Sequence, residues 1–136
     1  MDHTYRLIVS CPDRKGIVAK VSTLIAENDG WITEASQHSD LVDNWFFMRY
    51  EISAESLRFD FDGFKESLTP LAEEFEMNWR LVDSKQPKRL MLMASRQPHC
   101  LADLLHRWQS GDLPCEIACV VSNHEDLRRM VEWNGI

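Results

Sequence analysis

Residues 11–22 read CPDRKGIVAKVS, a turn that opens into a helix. The preceding stretch, residues 4–11, alternates apolar and polar side chains, as a half-buried strand does. The cluster from Pro12 to Gly16 is typical of a turn. Beyond it, apolar residues from Ile17 onward recur at helical spacing. This segment therefore predicts a strand, a tight turn and an amphipathic helix, with Gly16 at the helix entrance.

The same periodicities continue to residue 83 and complete a first domain. Residues 28–30 stop the helix, and we expect Gly30 to take the left-handed conformation there. The further predicted elements are an extended polar segment in 31–42, a strand in 45–52, a helix marked by Phe64, Leu68, Leu71 and Phe75, and a closing strand marked by Met77, Trp79 and Leu81. The order βαββαβ over residues 1–83 predicts an α+β ferredoxin-like fold, with two helices on one face of a four-stranded antiparallel sheet.

After a predicted linker at residues 84–88, the pattern changes. Residues 90–94 and 117–121 are continuous apolar runs, which are typical of strands buried on both faces of a parallel sheet. A helix follows each run, and Asn123 is positioned to cap the second. Residues 89–136 therefore predict the βαβα opening of an α/β doubly wound, Rossmann-like domain. Two strands do not complete such a sheet, so we expect this domain to be incomplete within the chain.

Composition narrows the classes of function. The net charge of −7 argues against nucleic-acid binding, which needs a basic surface. Residues 1–84 hold 16 acidic and 8 basic side chains, whereas residues 85–136 hold 6 and 7, so the two parts differ in character. No apolar run approaches the roughly 20 residues of a membrane span, and the first residues lack the features of a secretory signal. We expect a cytoplasmic protein.

The four cysteines indicate neither a disulfide framework nor a metal site. They lack the paired short spacings of a zinc site, and Cys115 and Cys119 lie too far apart along one predicted strand for an easy disulfide. We expect reduced, mostly buried thiols and no bound metal.

The loop before the first helix is the candidate ligand site of the first domain. A glycine there permits close backbone approach, and the free N–H groups of a first helical turn favour an anion such as a carboxylate. From spacing alone, the favoured interpretation is a purely structural strand-to-helix turn in which Gly16 fits the backbone, because short motifs have low specificity. CPDRKGIVAKVS within βαββαβ, however, resembles the signature loop of ACT domains, which are regulatory modules that bind amino acids. That resemblance implies ligand contacts at Asp13, Gly16 and Ile17, although Lys15 replaces a frequent proline.

In the second domain, ligands are expected at the carboxyl ends of the strands. Ser95 follows the first strand, and Ser122 and Asn123 follow the second. The neighbours His99 and Cys100 suggest a nucleophile pair only superficially, because adjacent helical residues point in different directions.

The second domain resembles the start of the formyltransferase fold, through LMLMASRQPHCLADLLHRW and EIACVVSNHEDLRRMVEWNGI. HCLADLLHRW and VVSNH are similar to the folate-deformylase branch of that family, in which an ACT domain precedes this fold. The resemblance implies hydrolysis of 10-formyltetrahydrofolate to tetrahydrofolate and formate, with no bound cofactor. It places the catalytic asparagine, histidine and aspartate after the third strand, so no catalytic residue falls in this chain. It also implies an amino-acid effector, with glycine and methionine as candidates, and a homo-oligomer.

Three other interpretations stay open at the level of sequence. A non-enzymatic regulator with tandem ACT domains would need a second strand–Asp-Arg-x-Gly–helix motif after residue 85, which the sequence lacks. A formyltransferase would pass the formyl group to another acceptor. A free-standing amino-acid-binding module would use its tail only to pack against a partner.

Overall fold

The structure is a computed structural model that describes residues 3–136. It divides into two compact units with a boundary between Gln86 and Pro87. The first unit contains β1 (Thr4–Pro12), α1 (Ile17–Glu27), β2 (Ile32–Asp40), β3 (Trp45–Ser53), α2 (Phe61–Glu74) and β4 (Asn78–Asp83). The second contains β5 (Lys88–Ala94), α3 (His99–Ser110), β6 (Cys115–Ser122) and α4 (Arg128–Trp133).

The first unit is an antiparallel four-stranded sheet in the order β2-β3-β1-β4. The predicted ferredoxin-like βαββαβ fold is therefore confirmed. Alternate residues of β1 and β3 are buried under the two helices, as the period of two requires. The apolar stripes of the helices supply the rest of the core, in which Phe64 and Leu68 are fully buried. Burying each such side chain contributes about 1.5–3 kcal/mol.

The end of α1 differs from the prediction. Asp29, with φ of 59°, takes the left-handed conformation that was expected of Gly30. Gly30 is required for another reason, since a Cβ atom there would lie 2.5 Å from Ile25 Cγ2 and 2.7 Å from Leu57 Cδ2. Glycine at position 30 lets the chain pass close against the core.

The second unit pairs β5 and β6 in parallel, with α3 as the connection between them. This is the predicted βαβα arrangement. These residues do not form the antiparallel sheet that a second ACT domain would have. Leu92 and Ala94 pack with Leu101 and Leu105 of α3. The opposite face of β5 is open, because Met91 is 58% and Met93 is 77% exposed. The expectation that residues 90–94 are buried on both faces is therefore wrong for this chain.

Two smaller expectations are also wrong. Asn123 does not cap α4, which begins at Arg128 after Leu127 and has no side-chain cap within the described chain. The thiols are not mostly buried, because Cys11 is buried and Cys115 half-buried, whereas Cys100 and Cys119 are exposed. A register shift between Leu90 and Met91 turns Cys119 to the open face of the sheet, opposite Met91.

Candidate functional site

The loop between β1 and α1 is held against the β2–β3 hairpin. The Asp13 amide donates to the Asn44 carbonyl at 2.9 Å, and Asn44 Nδ2 donates to the Asp13 carbonyl at 3.4 Å. Asn44 has φ of 53°, a left-handed conformation that asparagine tolerates better than most residues. The hairpin turn therefore positions the backbone of Asp13 and leaves its carboxylate at a half-buried position.

Gly16 begins α1 in the left-handed conformation, with φ of 95°. No atom lies within 4 Å of a Cβ built there, so backbone conformation, and not crowding, favours glycine. Among residues 3–136, no side chain caps the start of α1, and the first turn of this helix carries no acidic residue. The first N–H groups of α1 are thus available to an anionic ligand group.

Ile17 does not present its side chain to this loop. It is 2% exposed and packs in the core of the first unit. Any contact from Ile17 to a ligand would therefore come from its backbone N–H. Of the three residues that the ACT resemblance implied, Asp13 offers a carboxylate, and Gly16 and Ile17 offer backbone at the start of α1.

Arg14 fixes the other side of the loop onto α2. Its guanidinium lies 4.3 Å from the centre of the Phe75 ring and donates to the Glu74 carbonyl at the end of α2. A cation at this position interacts favourably with the negative, C-terminal end of the α2 helix dipole. Below the loop, burial raises the pKa of the Cys11 thiol, with Asp13 adding to the shift and Arg14 opposing it.

A groove of about 670 Å³ lies between α1 and α2, and Gly16 is at one end of it. Its wall is mixed, with apolar carbon from Leu24, Pro70 and Leu71 and charge from Lys20 and Glu27. The candidate loop therefore adjoins a space that could accommodate a small zwitterionic molecule.

In the second unit, the structure brings together the strand-end residues that the sequence predicted. Ser95 Oγ lies 2.9 Å from Asn123 Oδ1, and Ser122 Oγ donates to the Ser95 carbonyl at 3.4 Å. The Ser122 hydroxyl also accepts from the His124 amide at 3.1 Å. Asn123 thus joins the two strand ends, although its predicted role as a helix cap was wrong.

Two cavities flank this cluster. One, of about 460 Å³, is lined by residues from Val120 to Ile136, including His124 and Arg128. The other, of about 350 Å³, is lined by residues from Leu92 to Leu104, including His99 and Cys100. Both cavities therefore lie next to the carboxyl ends of β5 and β6.

One polar pair was missed by sequence reasoning. His3, the residue before β1, places its Nε2 atom 2.7 Å from Asp83 Oδ1 at the end of β4. Burial opposes ionisation of Asp83, but hydrogen bonds from the Lys85 amide and from His3 hold the pKa of its carboxyl below the ordinary value. These residues are 80 positions apart, and no local pattern relates them.

The structure contains neither a metal-binding cluster nor a membrane-spanning helix within residues 3–136. No group of three or more histidine, cysteine, aspartate or glutamate residues is arranged to hold a metal ion there. Within the same range, none of the helices is long and apolar enough to cross a bilayer.

Comparison with known proteins agrees with this architecture. The ACT domain family matches residues 5–57. Curated relatives named formyltetrahydrofolate deformylase include one from Synechocystis, 41% identical over 98% of this chain and 47% of its own length. One from Bacillus subtilis is 39% identical over 93% of this chain and 43% of its own length. A crystal structure of the Pseudomonas syringae formyltetrahydrofolate deformylase superposes with a TM-score of 0.94 at 64% identity, covering all of this chain and 46% of that one.

The first unit is accordingly an ACT domain. Over nearly its whole length, the chain is a homologue of formyltetrahydrofolate deformylases, in sequence and in fold. It spans about half the length of the relatives it matches.

Proposed function

We propose that this chain supplies the regulatory domain and the first strands of the folate-handling domain of a cytoplasmic enzyme that hydrolyses 10-formyltetrahydrofolate to tetrahydrofolate and formate. The formate would feed purine synthesis, and the reaction would balance one-carbon folate pools. The observation that carries this proposal is the similarity to deformylases along both units, at 41% identity over 98% of the chain. The ACT domain would regulate the enzyme in response to an amino acid.

The loop after β5 favours a hydrolase over a formyltransferase with a phosphorylated acceptor. Pro98 lies at the start of α3 and has no N–H to donate. Arg96 and Gln97 precede it, so the loop is bulky and lacks the glycines that admit a phosphate to the backbone. Water, as the acceptor of the formyl group in a hydrolase, carries no phosphate and needs no phosphate-binding loop. The tandem ACT alternative is disfavoured by the parallel pairing of β5 with β6.

The catalytic residues of the proposed enzyme lie outside this chain. The Ser95–Asn123 contact would act as support, because it fixes the two strand-end loops between which the substrate would be held. We propose no bound cofactor and no metal, with the folate as substrate.

Regulation would use the loop before α1. The uncapped N–H groups at the start of α1 suit the carboxylate of an amino acid. The carboxylate of Asp13, a residue whose backbone is held by Asn44, suits its ammonium group. Glycine and methionine are the proposed effectors, since both are linked to one-carbon flow, and the protein is proposed to be a homo-oligomer.

Formate release tests the activity. The 136-residue chain and the longer reading frame that contains it are each incubated with 10-formyltetrahydrofolate and no acceptor. The proposal expects release by the longer protein only. Release that depends on an added acceptor would instead support the formyltransferase, and no release under either condition would refute both.

Isothermal titration with glycine and methionine tests the effector site. We expect heat with one of them and about a tenfold or greater loss of affinity in Asp13→Asn, because a charge-assisted hydrogen bond contributes about 1.5–3 kcal/mol. Asp43→Asn is the matched control, since Asp43 is an exposed carboxylate in the neighbouring hairpin turn. Equal affinity loss in both variants, or no heat with either amino acid, would refute the site.

A further inference from the structure

The sheet of the first unit has a second face, opposite its helices, that carries exposed aromatic rings. Alternate residues of β1 and β3 are buried under the helices, so the residues between them lie on this second face. On β3 they include Trp45 and Phe47, which are 37% and 44% exposed. We call this surface, made of Trp45, Phe47 and their neighbours across the sheet, the aromatic face. Aromatic rings on the central strands of a four-stranded sheet are groups on which planar bases stack.

Trp45 and Phe47 are spaced to hold one planar ring between them. Residues two apart on a strand are separated by about 6.5–7 Å, and their side chains stand roughly perpendicular to the sheet. Carbon atoms in contact lie about 3.5 Å apart, so a flat ring inserted between the two side chains contacts both of them. The spacing therefore favours a planar aromatic ligand over an aliphatic one.

Hydrogen-bonding side chains flank Phe47 on the neighbouring strands. The strand register places His38 on one side of Phe47 and Ser10 on the other, with Asn78 beyond Ser10 on β4. His38 and Asn78 are exposed, and Ser10 is half-buried. Neutral imidazole, hydroxyl and amide groups each donate and accept hydrogen bonds, as the ring nitrogens and exocyclic groups of a heteroaromatic ring require. This row of side chains suits a heteroaromatic ring better than a hydrocarbon.

A network of ion pairs occupies the next rows of the aromatic face. The Glu51 carboxylate accepts from Arg6 at 2.6 Å and from Arg49 at 2.7 Å. Arg49 also donates to Glu34 at 2.8 Å. Arg80 lies on the same face of β4, is exposed, and takes no part in this network. Arg80 is therefore the cation that this face offers to an anionic group of a ligand.

A carboxylate at the other end of the face gives the ligand a direction. Asp40 lies opposite Trp45, and its Oδ1 atom accepts from the Val42 amide at 2.9 Å and from the Asp43 amide at 3.2 Å. These hydrogen bonds hold the pKa of the Asp40 carboxyl below its ordinary value, so the group is ionised at neutral pH. An anionic group is thus repelled at the Trp45 end of the face and attracted at the Arg80 end.

We propose that the aromatic face binds one planar heteroaromatic ring that carries an anionic group, with the ring between Trp45 and Phe47 and the anionic group toward Arg80. Purine nucleotides and folates both have this chemistry. A single small molecule is favoured over a nucleic-acid strand, which needs an excess of basic groups, because the charges of the face balance: Arg6, Arg49 and Arg80 against Glu34, Asp40 and Glu51. The site uses none of the residues proposed to bind the effector or to support the folate chemistry, so it can stand or fail independently of the proposed function.

Isothermal titration of the 136-residue chain tests the site. The probes are adenosine monophosphate, guanosine monophosphate and folic acid, and their rings without the anionic group are adenosine, guanosine and pterin. We expect heat with at least one probe, and about tenfold weaker binding of its uncharged counterpart, since a hydrogen bond to a charged group is lost. Ribose 5-phosphate, which has the anionic group but no ring, should give no heat. Whether a nucleotide or folic acid binds more tightly distinguishes the two sources of the ligand.

Substitutions locate the ligand on the aromatic face. Trp45→Leu and Phe47→Leu remove a ring and keep an apolar side chain, and each should weaken binding about fivefold or more. Trp45→Phe retains a ring and should stay within about threefold of the parent. Arg80→Gln should weaken binding of the charged probe about tenfold and leave its uncharged counterpart unchanged. Trp31→Leu, at an exposed tryptophan before β2, and Arg58→Gln, at an exposed arginine of the same unit, are matched controls and should leave binding unchanged.

Each outcome decides the proposal. No heat with any of the probes, equal losses of affinity in Trp45→Leu and Trp31→Leu, or an Arg80→Gln variant that binds like the parent would overturn it. The longer reading frame that contains this chain should bind the same probe. Loss of binding there would also overturn the proposal, because another part of the protein would then cover the face. Affinity retained in Trp45→Phe separates loss of the ring from loss of the fold.

Discussion

Replacing Gly30 with alanine tests how closely the chain after α1 packs on the core. The added Cβ would lie 2.5 Å from Ile25 Cγ2, 2.7 Å from Leu57 Cδ2 and 2.9 Å from the Ile25 carbonyl oxygen. Ile25 is fully buried and Leu57 is 9% exposed, so neither side chain can move into solvent without losing core contacts. The third contact is with backbone, which yields less readily than a side chain.

Overpacking of this kind costs about 1–3 kcal/mol. With three contacts below 3.0 Å, we expect Gly30→Ala to lower the free energy of unfolding by about 2 kcal/mol. Urea unfolding followed by far-UV circular dichroism measures this, and with an m value of about 1–2 kcal/mol/M the midpoint should fall by about 1–2 M.

Two further variants separate crowding from backbone strain. Gly111→Ala adds a Cβ in open space at φ of 84°, so its cost is conformational, about 1–2 kcal/mol. Leu57→Val, which removes the δ-methyl nearest to Gly30, should partly relieve Gly30→Ala and leave Gly111→Ala unaffected. A midpoint for Gly30→Ala close to that of the parent, or strict additivity with Leu57→Val, would refute the crowding argument.

Three other substitutions probe single contacts of the two units. Asp60→Ala removes the side chain that accepts from the Gly63 amide at 2.9 Å and caps α2, so the free energy of unfolding in urea should fall by about 1 kcal/mol; an unchanged midpoint would contradict this. Asp83→Asn tests acid sensitivity: because folding lowers the Asp83 pKa, the carboxylate stabilises the fold above its unfolded pKa of about 3.9, and this contribution is lost as pH falls through the lower folded value. Between about pH 5 and about pH 3, the urea midpoint should therefore fall less in Asp83→Asn than in the parent. Equal falls in the two proteins would refute the assignment. Trp108→Phe removes the indole N–H that donates to the Cys115 carbonyl at 3.1 Å. Because such a hydrogen bond contributes about 1 kcal/mol, amide hydrogen exchange of α3 should become about fivefold faster. Exchange that stays at the parent rate would show that this bond does not hold α3.

Periodicity recovered the elements of the first unit because the signal is local. In β1 and β3, alternate residues face the core, and the sequence shows that alternation directly. The helical stripe around Phe64 and Leu68 is similarly explicit. Strand order then follows from the few topologies that βαββαβ permits.

Contacts between distant residues could not be predicted in the same way. Arg6 and Glu51 form an ion pair at 2.6 Å across 45 positions, and His3 and Asp83 meet across 80. Each depends on the register of paired strands, which many sequences with the same periodicity could set differently. The hydrogen bonds between Asn44 in the hairpin turn and the backbone of Asp13 likewise required the fold.

The end of α1 shows a subtler limit. Residues 28–30 were recognised as a helix stop, yet Asp29 and not Gly30 takes the left-handed conformation. Propensity assigns positive φ to glycine first, because glycine adopts it without steric cost. Here the approach of the chain to Ile25 and Leu57 needs glycine more than the left-handed position does. Packing constraints of this kind are invisible until the core is assembled.

The two candidate sites differ in how many elements of this chain hold them in place. The loop before α1 is complete within one unit, since β1, the hairpin turn at Asn44 and the end of α2 all hold it in place. The strand-end cluster of Ser95 and Asn123 lies on a two-stranded sheet that is open on the face of Met91 and Met93. Parallel sheets are stable when both faces are covered. The proposed effector is therefore expected to bind to the first unit, whereas the proposed folate chemistry is expected to need the open face of β5 and β6 to be covered, so the two proposals can be tested separately.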